Sequence, residues 1–258
     1  MDLGLKGKVV LVTGGTKGIG FACAQAFLQE GARVAVVSRS KENVERAVSA
    51  LPGVYALAAD LVDEQEARDA IEQVEQHLGS IDVLVNSAGA AKRTAPDNLT
   101  PAAYRAAMDA KFFSYINAID PVVKRMAARG HGVVVNVIGN GGKVASPIHV
   151  AGGAANAALM LVTTGLAHAY ASQGVRIAAI NPGLTETERV AEGLEADAQL
   201  ASISPSEART RSIARIPLGR MAEPEEIANA VLFLASEKAS YITGVSISMD
   251  GAATPMVV

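Results

Sequence analysis

Gly7-Lys8-Val9-Val10-Leu11-Val12-Thr13-Gly14-Gly15-Thr16-Lys17-Gly18-Ile19-Gly20 decides the fold. Val9 to Val12 form a short apolar run rich in β-branched residues, as a strand buried on both faces requires. Gly14, Gly18 and Gly20 follow at once, and a helical pattern (Phe21, Ala24, Phe27, Leu28) begins directly after them. A strand that turns tightly through glycines into a helix is a phosphate-binding device. Glycine lets the backbone approach a pyrophosphate closely, and the helix N-terminus offers free N–H groups and the positive end of its dipole. An ordinary strand-to-helix turn seldom needs three glycines in seven residues. The stretch therefore predicts dinucleotide binding, with Gly14, Thr16, Lys17, Gly18, Ile19 and Gly20 in contact.

Outward from this unit, strand-like apolar runs alternate with helical patterns to the end of the chain. Strands are expected near 8–13, 33–37, 54–58, 81–85, 132–137, 175–180 and 245–248, and helices near 18–30, 41–51, 63–78, 100–128, 150–173 and 224–235. That rhythm predicts an α/β fold: a doubly wound, Rossmann-type parallel sheet of about seven strands, with helices on both faces and right-handed crossovers. No low-complexity linker interrupts it, so residues 1–258 are read as one domain. Ligands of such sheets lie at the C-terminal strand ends. Gly14, Ser38, Asp60, Asn86, Gly139 and Pro182 should share that rim.

The second strand ends at Ser38-Arg39-Ser40. A site for NAD usually has an acid here to hold the ribose 2′-hydroxyl. None is present, and Arg39 can fork onto a 2′-phosphate with Lys17 adding charge. NADP is therefore expected over NAD; the alternative is that both residues are solvated surface charges.

Composition narrows the function classes. Half of the residues are hydrophobic, but aromatics make up only 4% and Trp is absent, so the core must be built from Ala, Val, Leu and Ile. A net charge of −3 without a basic block argues against a nucleic-acid partner. The single cysteine, Cys23, excludes an intrachain disulfide and fits a reducing cytosol. No apolar run reads as long enough to span a bilayer, and no leader pattern opens the chain. His77, His131, His149 and His168 lack metal-ligand spacing, and no metal site is read.

Thr13 to Gly20 resembles the TGxxxGxG signature of the short-chain dehydrogenase/reductase family. The resemblance continues through Asp60, Asn86-Ser87-Ala88-Gly89, Asn181-Pro182-Gly183, Arg220 to Ala228, Thr243-Gly244 and Asp250-Gly251, nearly the whole chain. It implies that Asp60 and Leu61 lie near the adenine, although Asp60 could instead cap the helix beginning near Glu64. It also implies that Asn86, Ala88, Gly89 and Ile138 line the path of the cofactor. Pro182, Gly183 and Thr185 belong to a PGxxxT loop that meets the nicotinamide carboxamide. It further implies a substrate lid over about 186–216, and a dimer face on the helices near 100–128 and 150–173 supporting a homodimer or homotetramer. The segment 246–258 is expected to support that assembly.

The resemblance breaks at the chemistry. The family supplies a Tyr as proton donor, a Lys four residues later, a Ser about thirteen residues before the Tyr, and an Asn on the preceding long helix. These positions fall here on Gly152, Asn156, Gly139 and Lys111. No Tyr occurs between residues 129 and 169. A positioned general acid contributes roughly 10²–10⁴ in rate, so turnover needs a substitute. Two can be named. Lys111 could bring an ammonium into the vacated cationic site, or it could snorkel to the surface. His149 could titrate near neutral pH, or lie on an exposed loop. Asn140 and Asn156 could orient a carbonyl or water. Arg209, Arg211 and Arg215 could meet an anion, or be solvated helix charges.

The resulting expectation is an NADP-binding oxidoreductase acting on a small carbonyl or alcohol through a non-standard site. The alternatives are a nucleotide-binding sensor or inactive partner subunit, and a non-redox lyase or isomerase.

Overall fold

A computed structural model describes residues 2–89 and 93–256 of the chain. Its centre is a seven-stranded sheet in the order β3-β2-β1-β4-β5-β6-β7, with every pair parallel. The strands are β1 (Val9–Thr13), β2 (Arg33–Ser38), β3 (Tyr55–Ala58), β4 (Val83–Asn86), β5 (Gly132–Val137), β6 (Val175–Pro182) and β7 (Ser246–Met249). The chain reverses its direction of travel across the sheet between β3 and β4, so β1 and β4 are neighbours and a crevice opens at their C-terminal ends.

Alternation along each strand sorts the core into two layers. Val10, Val12, Val34 and Val36 face α1 (Gly18–Gln29), α2 (Lys41–Ala50) and α9 (Pro224–Ala235). Val9, Leu11, Ala35 and Val37 face α3 (Glu64–Leu78), α5 (Ser114–Arg129) and α6 (Val150–Tyr170). Phe27 and Tyr115 are the largest fully buried side chains, consistent with a core built from small aliphatic residues. Cys23 lies inside the first layer, where burial pushes its thiol up to about 12. A separate small cluster of Leu194, Ile216 and Met221 holds α7 (Glu188–Ala201) and α8 (Pro205–Ile213) beside the crevice.

Two expectations require correction. The helix expected over 100–128 is three pieces: α4 (Pro101–Ala107), a π-helical segment (Met108–Phe113) and α5. A π segment adds a residue to the turn and rotates the helix beyond it, which hydrophobic periodicity does not reveal. The second concerns the absence of a bilayer-length apolar run. Val150–Gln173 has the length and apolar composition of a membrane-crossing helix, with mean hydropathy 1.5. Its Ala- and Gly-rich sequence instead packs on β6, and 39% of the window is buried.

Candidate functional site

The turn after β1 is held by close backbone packing. Gly14 has φ +66°, and a Cβ there would stand 2.7 Å from the Ala88 Cα. A Cβ on Gly20 would strike the Gly14 carbonyl. Beneath the turn a buried polar chain crosses the sheet. Thr13 Oγ1 donates to Asn86 Oδ1 at 3.2 Å, Asn86 Nδ2 to Asn136 Oδ1 at 3.0 Å, and Asn136 Nδ2 to Thr163 Oγ1 at 3.0 Å. Thr163 Oγ1 closes the chain on the Leu159 carbonyl at 2.8 Å. Asn86 thus ties β1, β4 and β5 together, and Asn136 and Thr163, which complete the chain, belong to no recognisable motif.

Above this chain runs a cleft of about 400 Å³. Gly14, Thr16, Lys17, Gly18, Ile19, Ser38, Arg39, Asp60, Leu61, Ala88 and Gly89 all line it. Gly20 and Asn86 lie below its floor as supports. α1 opens on the cleft with Lys17 at its N-cap, no side-chain cap and no acid in its first turn. Its first N–H groups therefore remain available to an anion. Arg39 is exposed on the wall, and Lys17 Nζ reaches Glu188 Oε2 at 3.5 Å. Asp60 is not the cap of α3, because Asp63 takes that place by accepting from Gln65 N and Glu66 N. The glycine cradle and the open helix end fit a dinucleotide.

The cleft continues into a cavity of about 230 Å³, which Ile138, Pro182, Gly183 and Thr185 line together with Lys111 and His149. Lys111 does not snorkel. It is 8% exposed, and Nζ donates to Tyr115 Oη at 2.7 Å and to the Val137 carbonyl at 3.1 Å. The π segment turns it inward from between α4 and α5. Burial, with the Arg189 charge nearby, lowers its ammonium to about 7. Tyr115 Oη donates in turn to the Val137 carbonyl at 2.5 Å, and burial pushes the phenol upward. A Tyr–Lys pair four residues apart is therefore present, in reversed order and on an unexpected helix. Lys111-Phe112-Phe113-Ser114-Tyr115 is the sequence signal for it.

His149 is half-buried at the start of α6 and not on an exposed loop. Burial, then the charges of Arg93, Arg189 and Lys111, hold its imidazole below the ordinary value. Its Nδ1 is buried without a hydrogen-bond partner. Asn156 lines the cavity, but Asn140 does not reach it. Asn140 Nδ2 is taken by Asp250 Oδ2 at 2.7 Å and Thr254 Oγ1 at 2.8 Å. Gly139 has φ +122°, a conformation that favours glycine. Arg209 and Arg211 pair with Glu186 and Glu207 on the surface, in keeping with solvated helix charges. Arg189 borders both the cleft and the cavity, a placement that no sequence motif signals. Among the described residues, no group of three His, Cys, Asp or Glu converges as a metal site would require.

Known proteins match this arrangement along nearly its full length. The family model described as enoyl-(acyl-carrier-protein) reductase matches residues 14–254. A 3alpha-hydroxysteroid dehydrogenase of Mediterraneibacter gnavus is 37% identical over 98% of this chain and 99% of its own. A 3-oxoacyl-(acyl-carrier-protein) reductase of Thermotoga maritima is 35% identical over 96% and 98%. Among solved structures, an actinorhodin polyketide ketoreductase variant with NADPH superposes with TM-score 0.92 at 28% identity, covering 95% of this chain and 97% of that one.

Proposed function

The chain belongs to the short-chain dehydrogenase/reductase family, and from that premise we propose an NADP(H)-dependent oxidoreductase that acts on a small carbonyl or alcohol through a site rebuilt around Lys111. One observation carries the reading: Lys111 lines the cavity, and its Nζ has two of its three N–H groups committed, to Tyr115 Oη and the Val137 carbonyl. The third is left for the cavity.

The coenzyme would be held by the Gly14–Gly20 turn at its pyrophosphate and by Arg39 and Lys17 at its 2′-phosphate. Asp60 and Leu61 would meet the adenine, and Pro182, Gly183 and Thr185 the carboxamide. When bound, NADPH supplies hydride at its nicotinamide C4. Reduction of a carbonyl leaves a negative oxygen that needs a proton. An ammonium near 7 releases one readily at neutral pH. Tyr115 acts through Lys111 as a positioning residue, since its hydroxyl is spent on Val137. His149 shares the cavity, but burial and the neighbouring cations disfavour its imidazolium, so Lys111 is taken as the donor. In this reading α7 and α8 form the lid, and α4, α5 and α6 a face for a second copy.

The test is NADPH consumption with a panel of small carbonyl compounds, comparing the natural chain with Lys111→Met. Substrate-dependent consumption that falls by roughly 10²–10⁴ in the variant is expected. Tight NADPH binding with no turnover would instead indicate a coenzyme-binding sensor or partner subunit. Substrate conversion with the coenzyme unchanged would indicate a lyase or isomerase.

A further inference from the structure

We propose that the substrate carries a carboxylate, received in the cavity by Arg189 and His149 beside Lys111. The inference rests on the oxidoreductase reading above for the word substrate, but its evidence is the charge pattern of the cavity wall. Among the described residues, the titratable groups lining the cavity are Lys111, His149 and Arg189. All three are bases, and no Asp or Glu lines the cavity with them.

Arg189 stands apart from its neighbours. Arg93, Arg209 and Arg211 each pair with a carboxylate, Asp197, Glu186 and Glu207. Among the described residues no carboxylate lies within 4.0 Å of Arg189. It also occupies the first turn of α7, where the helix dipole disfavours a cation. Arg189 is an exposed residue, and Glu192 attracts it from the cleft side without forming an ion pair. Toward the cavity, beside an inward-turned lysine, it meets no acid, a charge arrangement that an incoming anion completes.

His149 supplies an independent sign. Its Nδ1 is buried and unpartnered, and an orphaned buried polar atom is costly unless something meets it. The first turn of α6 starts beside it with no side-chain cap and no acid. A carboxylate suits this set because a guanidinium takes its two oxygens through parallel N–H groups. The charge of Arg189 on Lys111, and those of Arg189 and Lys111 on His149, which add to burial in lowering the two pKa values, are offset when an anion enters.

Arg189 also borders the coenzyme cleft, so a role at the pyrophosphate is the rival explanation. The test uses the full chain saturated with NADPH. 2-Oxobutanoate and 4-oxopentanoate are compared with their neutral amides, by calorimetric binding and by NADPH consumption. The expected result is at least tenfold tighter binding of one or both acids than of the matching amides. Arg189→Met should erase that preference, while Arg211→Met, on the surface of α8, should keep it. Amides that bind as well as the acids, or failure of both to bind, would overturn the proposal. So would an Arg189→Met variant that loses NADPH affinity but keeps the acid preference. Arg189-dependent binding of acid without NADPH consumption would uphold the carboxylate site and count against the oxidoreductase reading. Reduction of amides in preference to acids would do the reverse.

Discussion

Lys111 Nζ lies 2.7 Å from Tyr115 Oη and 4.5 Å from the centroid of the same ring, and both polar groups converge on the Val137 carbonyl at the end of β5. The phenol stabilises the charged amine twice, as hydrogen-bond acceptor and as π-face. Tyr115→Phe removes the first of these. Carbonyl reduction needs Lys111 protonated, so its rate should fall as pH rises through about 7, and alcohol oxidation should rise. In Tyr115→Phe that limb should move to lower pH with NADPH affinity kept. A pH–rate profile that stayed in place would remove Tyr115 from the positioning role.

The buried amine should also burden the fold. Its pKa drops from 10.5 to about 7 on folding, so between those values the unfolded chain holds a proton that the folded chain has released. Stability therefore rises with pH across that window, and the full penalty applies below it. Lys111→Met should be more stable than the natural chain at about pH 6, on the order of a few kcal/mol. The gap should narrow toward pH 10. Urea unfolding at several pH values measures it, and a pH-independent gap would contradict the burial argument.

Arg39 is exposed on the cleft wall at the end of β2, where no acid stands. Arg39→Glu would put a carboxylate where a ribose 2′-hydroxyl could be held and a 2′-phosphate repelled. NADPH binding should weaken at least tenfold and NADH binding should improve. Fluorescence titration with both coenzymes decides the matter, and unchanged preference would assign Arg39 to the solvated surface.

Asn136 is the middle of the polar chain from Thr13 to Thr163. Asn136→Ala leaves Asn86 Nδ2 buried without its acceptor. The expected loss is about 1–3 kcal/mol, visible in denaturant unfolding. A neutral result would mean that water replaces the amide.

Leu161 on α6 is 76% exposed, and Phe113 and Tyr104 on the preceding helices are also exposed. If α4, α5 and α6 meet a second copy, Leu161→Glu should shift the protein toward monomer in sedimentation without lowering the content of secondary structure. A natural chain that is already monomeric would dismiss this face.

The fold is legible in the sequence because its signals are local. Val9 to Gly20 contains strand, turn and helix start within a few residues, and the same alternation repeats to β7. The rim of the cleft and cavity is legible for the same reason, since Gly14, Ser38, Asp60, Gly139 and Pro182 each lie at or just past the end of a strand. The heart of the cavity is not. Lys111 matters through Val137, 26 positions away, and the inward turn comes from a π segment that leaves no periodic trace. Tyr115 is hidden because the family's order puts Tyr before Lys, and on a different helix. Arg189 looks like one more charge in a mixed segment. Its lack of a carboxylate partner exists only in three dimensions.

The acid-free wall of the cavity has an electrical consequence for a coenzyme seated there. An oxidised nicotinamide ring is a cation, while the reduced ring is neutral. Arg189 and the partly protonated Lys111 would repel the first and tolerate the second. The midpoint potential of the bound coenzyme should therefore lie above that of the free one, and the resting protein should retain its coenzyme in the reduced form. An arriving carboxylate would cancel the repulsion and lower that potential again, so that the anion on the substrate would itself license the departure of hydride.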